Sequence, residues 1–280
     1  MRKEIFISVI NNMRFERAGH YLFMLAFGVV LGYSRIIDGE ASLSIQKIVF
    51  MCLSVLFAWF GAVNINDIYD KESDSLTNKK RPLVLKTLTG RQFIGLTCVY
   101  LVFSVVFAAV VSHQFLLLIL AYQAIATVYS VPPLRLKKIG FPSKILIGMA
   151  SAVLVLAGYS AYNPVKNLSE IPLKETLYFF TAFSISSNLI DLKDRKSDGM
   201  AGIKTLPVIL GDRKAKQAIG VGIAFSYILT PIVFGRELWP FAIIWAILSA
   251  KTVTTMKTPD KHVILTYLLY TPLMLKTIIK

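Results

Sequence analysis

The sequence predicts an all-α, polytopic membrane protein, and three observations carry that prediction. The 280 residues are 55% hydrophobic and only 17% charged, with a mean hydropathy of +0.61, more apolar surface than a water-soluble domain can bury. Apolar runs recur along almost the whole chain, each about 20 residues long and so able, at about 1.5 Å per residue, to cross a hydrocarbon core of about 30 Å. These runs must be helices, because an isolated strand leaves its backbone polar groups unsatisfied in lipid.

Taken in order, residues 1–17 set Arg2, Lys3, Arg14 and Arg17 around an apolar stretch too short to cross and without a small-residue cleavage site. That pattern predicts an interfacial helix and not a signal peptide. Nine spans follow, at 18–36, 46–66, 92–111, 114–131, 143–162, 174–192, 215–235, 237–256 and 261–279. The third and fourth meet at Ser112 and His113, and the seventh and eighth at Gly235 to Glu237, so each pair should be a tight helical hairpin. Pro132 and Pro133 end the fourth span. Cys52 and Cys98 fall inside spans, which predicts buried packing thiols with no disulfide or metal role. Residues 1–280 form a single transmembrane domain.

The net charge of +15 would suit a nucleic-acid partner if it were gathered on a soluble domain, but it is spread through the loops. With the N-terminus inside, the inner segments hold 24 of the 31 Lys and Arg. The asymmetry fits an odd number of spans, an N-terminus and charged loops on the cytoplasmic side, and no nucleic acid.

Those inner loops contain a repeat. The segment NINDIYDKESDSLTNKKRPLV from Asn64 aligns without a gap on NLIDLKDRKSDGMAGIKTLPV from Asn188, at a constant offset of 124 residues. Identical pairs are Asn64 with Asn188, Asp67 with Asp191, Asp70 with Asp194, Ser73 with Ser197, Asp74 with Asp198, Lys80 with Lys204 and Val84 with Val208. Both copies begin at the inner end of an even-numbered span, which predicts an internal repeat of four helices, with halves at about 18–131 and 143–256.

Within each copy the three Asp residues lie at i, i+3 and i+7, within about 60° of one another on a helix. Three carboxylates on one face repel unless a cation sits among them. Oxygen donors without nearby His or Cys suit Mg²⁺, or Mn²⁺ as the alternative, and not zinc. Because Mg²⁺ takes few carboxylates and shares its sphere with phosphates, a diphosphate bridged by two or three ions would use both faces. Arg81, Arg135, Lys138 and Lys204 lie in the same loops and can neutralise the remaining phosphate charge. Tyr129, just inside a helix end, is open to two readings, a pocket wall or an interfacial anchor. Lys193, Arg195 and Lys196 read as topology signals.

The motifs Asn66-Asp67-x-x-Asp70-x-x-x-Asp74, Tyr129-Ser-x-Pro-Pro-x-Arg-x-Lys-Lys, and Asp191-x-x-Asp194-x-x-x-Asp198 followed by Gly202-Ile-Lys-Thr-Leu-Pro-Val together resemble the UbiA superfamily of intramembrane prenyltransferases. The resemblance implies a helical bundle around a central cavity, a polyprenyl diphosphate such as geranyl or geranylgeranyl diphosphate as donor, and Mg²⁺. It implies metal ligation by Asn66, Asp70, Asp74, Asp191, Asp194 and Asp198. Tyr129 would lie beside the reacting allylic carbon, and Asp67 would activate the acceptor or fix a neighbour. With Asp191, these two are the residues expected nearest the chemistry. The acceptor is an aromatic quinone precursor or a lipid precursor. Phe15 follows Arg14 where the family often has Pro, which makes Arg14 a poor phosphate-binding candidate. The competing reading is a cation-coupled transporter lined by the duplicated acidic helices. It calls for ionisable residues near mid-membrane, whereas here they cluster at span ends.

Overall fold

The computed structural model describes residues 2–35, 43–77, 79–162, 164–165 and 168–279. The end of the first predicted span at Ile36, together with Asn78, Lys166 and Lys280, lies outside them. Among the described residues there is no strand, and the α-helices are α1 (Arg2–Asn12), α2 (Phe15–Ser34), α3 (Ile45–Thr77), α4 (Gly90–Val111), α5 (His113–Ser130), α6 (Lys144–Tyr162), α7 (Leu173–Ser186), α8 (Asp191–Met200), α9 (Leu206–Val233), α10 (Trp239–Thr255) and α11 (Asp260–Ile278).

A helix stands at each of the nine predicted positions, but only six described segments are long and apolar enough to cross a membrane: Ile45–Glu72, Gly90–Val111, His113–Ser130, Phe141–Tyr162, Leu206–Val233 and Arg236–Thr255. The other three fall short for physical reasons. Arg17 and His20 dilute the start of α2, Asp260, Lys261 and His262 dilute α11, and α7 has only 14 residues. The predicted sixth span, 174–192, is therefore corrected: α7 stops at Ser186, and a 3₁₀ turn over Ser187–Leu189 separates it from α8. The cause is local. The Asn188 side-chain amide donates to the carbonyls of Ser184 (3.0 Å) and Ile185 (2.9 Å), taking acceptors that the next helical turn would otherwise use.

Among the described residues, side-chain caps stand at the starts of α4 and α5. Thr89 and Gln92 form a reciprocal capping box at the start of α4. Ser112 is at once the last residue of the α4 cap and the N-cap of α5, its hydroxyl accepting from the Phe115 N–H at 3.1 Å. The predicted hairpin at 112–113 is thus closed by one residue. Gly211 interrupts α9 at φ 76 and ψ 165, a conformation open to glycine and costly for other residues.

The chain divides into two compact units. The first comprises Met1–Arg135 and Val153–Val165, the second Leu136–Ala152 and Lys166–Lys280, so α6 gives its first half to the second unit and its second half to the first. In the first unit, α2 meets the second half of α6 backbone to backbone. A Cβ placed on Gly28 would lie 2.0 Å from the Val155 carbonyl oxygen, and one on Gly158 would lie 2.1 Å from that of Leu25. Small residues provide the close approach that membrane helices use in place of a hydrophobic driving force. Phe57 on α3 packs on Tyr100, Phe103 and Phe107 of α4 with ring centroids 5.7 to 5.8 Å apart, and the Ser54 hydroxyl donates to the Ser104 carbonyl at 2.8 Å. In the second unit, Gly148 of α6 packs on the Phe180 carbonyl of α7. Buried polar groups tie α9, α10 and α11 together there: the Thr230 hydroxyl bonds Tyr270, and the Trp245 indole N–H donates to the Thr266 carbonyl at 2.8 Å. Cys52 is half-buried and Cys98 is exposed, which corrects the expectation that both are buried packing thiols.

Candidate functional site

In the first unit the acidic face grows out of a single helix. The apolar part of α3 ends near Val63, and the same helix runs on through Asn64, Asp67, Asp70 and Asp74 to Thr77. Asp67 is 1% exposed and Asp74 7%, so their charges require partners. The partners are guanidinium groups. Arg14 donates to Asp67 Oδ1, Arg81 Nε stands 3.8 Å from both Asp67 Oδ1 and Asp74 Oδ2, and Arg135 donates at 2.8 Å to Asp70 Oδ1 and at 2.6 Å to the Tyr69 carbonyl. Arg14 (φ 48) and Arg135 (φ 38) both hold left-handed backbone conformations, which are uncommon for residues other than glycine.

The chain entry supports this face. Between α1 and α2, Asn12 donates to Asn64 Oδ1 at 3.2 Å and accepts from Arg81 at 3.4 Å, while the Trp59 indole donates to the Met13 carbonyl at 3.0 Å. No sequence motif marks Asn12, and the motif around Arg14 makes it a poor phosphate binder. The structure gives Arg14 a carboxylate instead. The signal that bears on both is their place at the junction between a short amphipathic helix and the first apolar run.

In the second unit the corresponding carboxylates open a new helix. Asp191 and Asp194 stand in the first turn of α8, where the helix dipole favours negative charge. Lys144 Nζ donates to Asp191 Oδ1 at 2.6 Å, both side chains less than a tenth exposed. Burial pushes the Asp191 carboxyl up, against the pull of Lys144. Burial, followed by the charges of Asp191 and Asp194, raises the Asp198 carboxyl to about 6. The Thr205 hydroxyl donates to Asp198 Oδ2 at 3.4 Å. Lys144 is a further residue that reading the sequence missed, because it looked like one more charge in a basic loop. That loop is pinned to the end of the second motif: the Phe141 N–H donates to the Lys204 carbonyl at 3.0 Å, and Gly140 (φ 81) leaves no room there for a Cβ.

The remaining candidates divide by position. The Asn66 side-chain amide donates to Ser130 Oγ at 3.4 Å, and Tyr129, beside Ser130 in the chain, is half-buried. Lys138 and Lys204 are exposed. Arg81 and Arg135, expected on phosphate, are held on carboxylates.

The donor set suits a hard cation. It is made of carboxylates, and in each unit one buried carboxylate oxygen, Asp67 Oδ2 or Asp191 Oδ2, has no hydrogen-bond partner among the described residues. Also among the described residues, no three His, Cys, Asp or Glu side chains converge enough to enclose an ion by themselves. Such sparse carboxylate donors match Mg²⁺, which completes its sphere with phosphate and water.

A family model described as the UbiA prenyltransferase family matches residues 21–258. A digeranylgeranylglyceryl phosphate synthase from Saccharolobus solfataricus is 24% identical over 215 residues, 77% of this chain and 74% of that protein. The chloroplastic 2-acyl-4-prenylphloroglucinol 6-prenyltransferase of Humulus lupulus is 27% identical over 202 residues, 69% of this chain and 49% of that one. In fold, the chain is similar to a UbiA homologue from Archaeoglobus fulgidus solved with DMAPP and Mg²⁺, with a TM-score of 0.74 at 22% identity, covering 97% of this chain and 99% of the other.

Proposed function

This chain belongs to the UbiA prenyltransferase family and is a prenyltransferase; from that premise we propose that it moves a polyprenyl group from a Mg²⁺-bound prenyl diphosphate to a phosphate-bearing lipid precursor. The duplicated carboxylate face carries this reading. Asp70 and Asp74, and Asp191, Asp194 and Asp198, with Asn66, would hold two or three Mg²⁺ ions, or Mn²⁺ in their place. Bound metal would supply Lewis-acid neutralisation of the charge that builds on the departing diphosphate.

The chain's own residues do the rest. Arg81, Arg135, Lys138 and Lys204 carry the positive charge that meets the diphosphate oxygens, the first two leaving their carboxylates as these take metal. Arg14 holds Asp67, and Lys144 holds Asp191, so each acidic face keeps its geometry before substrate arrives. Apolar helix faces exclude water from the allylic carbon as its bond to oxygen ionises, with Tyr129 beside it. The lipid-precursor acceptor is favoured because several curated relatives are named digeranylgeranylglyceryl phosphate synthase. An aromatic acceptor is the second reading, favoured by the Humulus relative. The membership in a transferase family sets the transporter reading aside.

In the same proposal nine helices, α2 to α7 and α9 to α11, cross the membrane, the first eight as the two halves of a four-helix repeat, and the N-terminus and acidic segments face the cytoplasm. The deciding experiment incubates purified protein with Mg²⁺ and radiolabelled geranylgeranyl diphosphate against a panel of acceptors. Product with geranylgeranylglyceryl phosphate is expected; product only with a hydroxybenzoate or a naphthoate would replace the acceptor assignment, and no transfer with any acceptor would defeat the donor assignment.

A further inference from the structure

The side of α8 turned away from its carboxylates is built for something other than the metal-bound donor. At about 100° per residue, Asp191, Asp194 and Asp198 share one sector of the helix, while Leu192, Lys193, Lys196 and Met200 occupy the roughly opposite one. A cavity of about 730 Å³ opens on that opposite sector, with Val208 and Asp212 of α9 forming its other wall. The volume lies in the range of small-molecule sites.

The break in α9 at Gly211 shapes the cavity. It turns the chain so that Asp212 lies 3.0 Å from Arg195 NH1, and it leaves Gly211 beside that guanidinium. Of the lining cations, Lys193 stands 3.8 Å from Asp260, which is not part of the lining, and Lys196 makes no ion pair among the described residues. Three cations against two carboxylates leave one positive charge for a ligand. The lining is apolar as well, with Leu192 and Met200 on α8 and Val208 on α9, and Met200 is 78% exposed. α9 continues from here as a segment long and apolar enough to cross a membrane, which would put the cavity at the end of that span, near a bilayer surface. A singly charged anion carrying hydrocarbon answers both halves of the lining; a free inorganic anion answers only one.

We propose that this cavity binds the headgroup of an anionic phospholipid, its phosphodiester facing Lys193 and Lys196 and the start of its hydrocarbon chains resting on Met200 and Val208. The site is separate from the donor face, whose carboxylates would repel the same headgroup.

The test is native mass spectrometry of the full chain released from vesicles of equal parts phosphatidylglycerol and phosphatidylcholine. Wild type should retain phosphatidylglycerol, and Lys193→Ser with Lys196→Ser should retain it roughly tenfold less, each lysine at a membrane surface supplying a substantial share of headgroup attraction. Lys251→Ser with Lys257→Ser removes the same charge from exposed positions elsewhere in the second unit and should change nothing. Equal retention of both lipids, an unaltered Lys193/Lys196 variant, or an equal loss in the control would overturn the proposal. So would full displacement by millimolar glycerol 1-phosphate, which would make the site one for a water-soluble phosphate. Photoactivatable phosphatidylglycerol gives a reading independent of the variants' folding: in wild type it should label residues 192–212, and labelling confined elsewhere would refute the assignment.

Discussion

Lys144 and Asp191 show how much of this protein rests on single side chains. Each is nearly enclosed, and each has the other as its counter-ion at 2.6 Å. Removing one partner strands a buried charge, so Lys144→Ala should lower unfolding stability in detergent by roughly 3 kcal/mol. Lys144→Ala combined with Asp191→Asn should recover part of that loss, because the orphaned charge is gone. An additive double variant would show that the two groups are energetically independent. Neither Lys144 nor Arg14 could be picked out by pattern. Their partners lie 47 and 53 residues away, and ion pairing across such separations leaves no periodic trace in a chain. The carboxylates themselves were legible, since three Asp at helical spacing, repeated once, are conspicuous in an apolar sequence.

At the level of helices, long apolar runs made the positions of α2 to α7 and α9 to α11 readable, because span length and hydropathy are summed over many residues. The interruption between α7 and α8 was not readable in that way. It depends on one amide, Asn188, competing with the backbone for two carbonyls, and its counterpart Asn64 stays inside an unbroken helix. Three residues at 3₁₀ pitch advance the chain about 60° further around the axis than three α-helical ones. The turn therefore sets where the Asp191 face points. Asn188→Leu should let α7 run directly into α8, leaving helical content by circular dichroism unchanged while Mg²⁺-dependent binding of geranyl diphosphate, followed by calorimetry, falls at least tenfold. Unchanged affinity would mean that the turn has no part in orienting the second acidic face.

At the scale of the whole molecule, one prediction tests whether the two acidic faces serve one binding event and a second tests the fold. Asp70→Ala and Asp194→Ala should each abolish Mg²⁺-dependent diphosphate binding with the melting temperature nearly unchanged, and the double variant should be no worse than either single one, as expected for groups serving one event. Additive partial losses would point to two independent anion sites. Gly28→Leu addresses the fold instead. A Cβ there already meets the Val155 carbonyl oxygen at 2.0 Å, so the substitution must push α2 from α6 and should prevent recovery of folded protein, while Gly19→Leu, where nothing lies within 4 Å, should be tolerated.

Ser112 has a consequence for how the chain is made. It ends one helix and caps the next, leaving no free length of chain between α4 and α5. A joint without a linker leaves no polar segment to be carried across the bilayer on its own, so the two apolar helices can pass into it as one closed hairpin, and the joint bears on how the protein is made as well as on its finished shape.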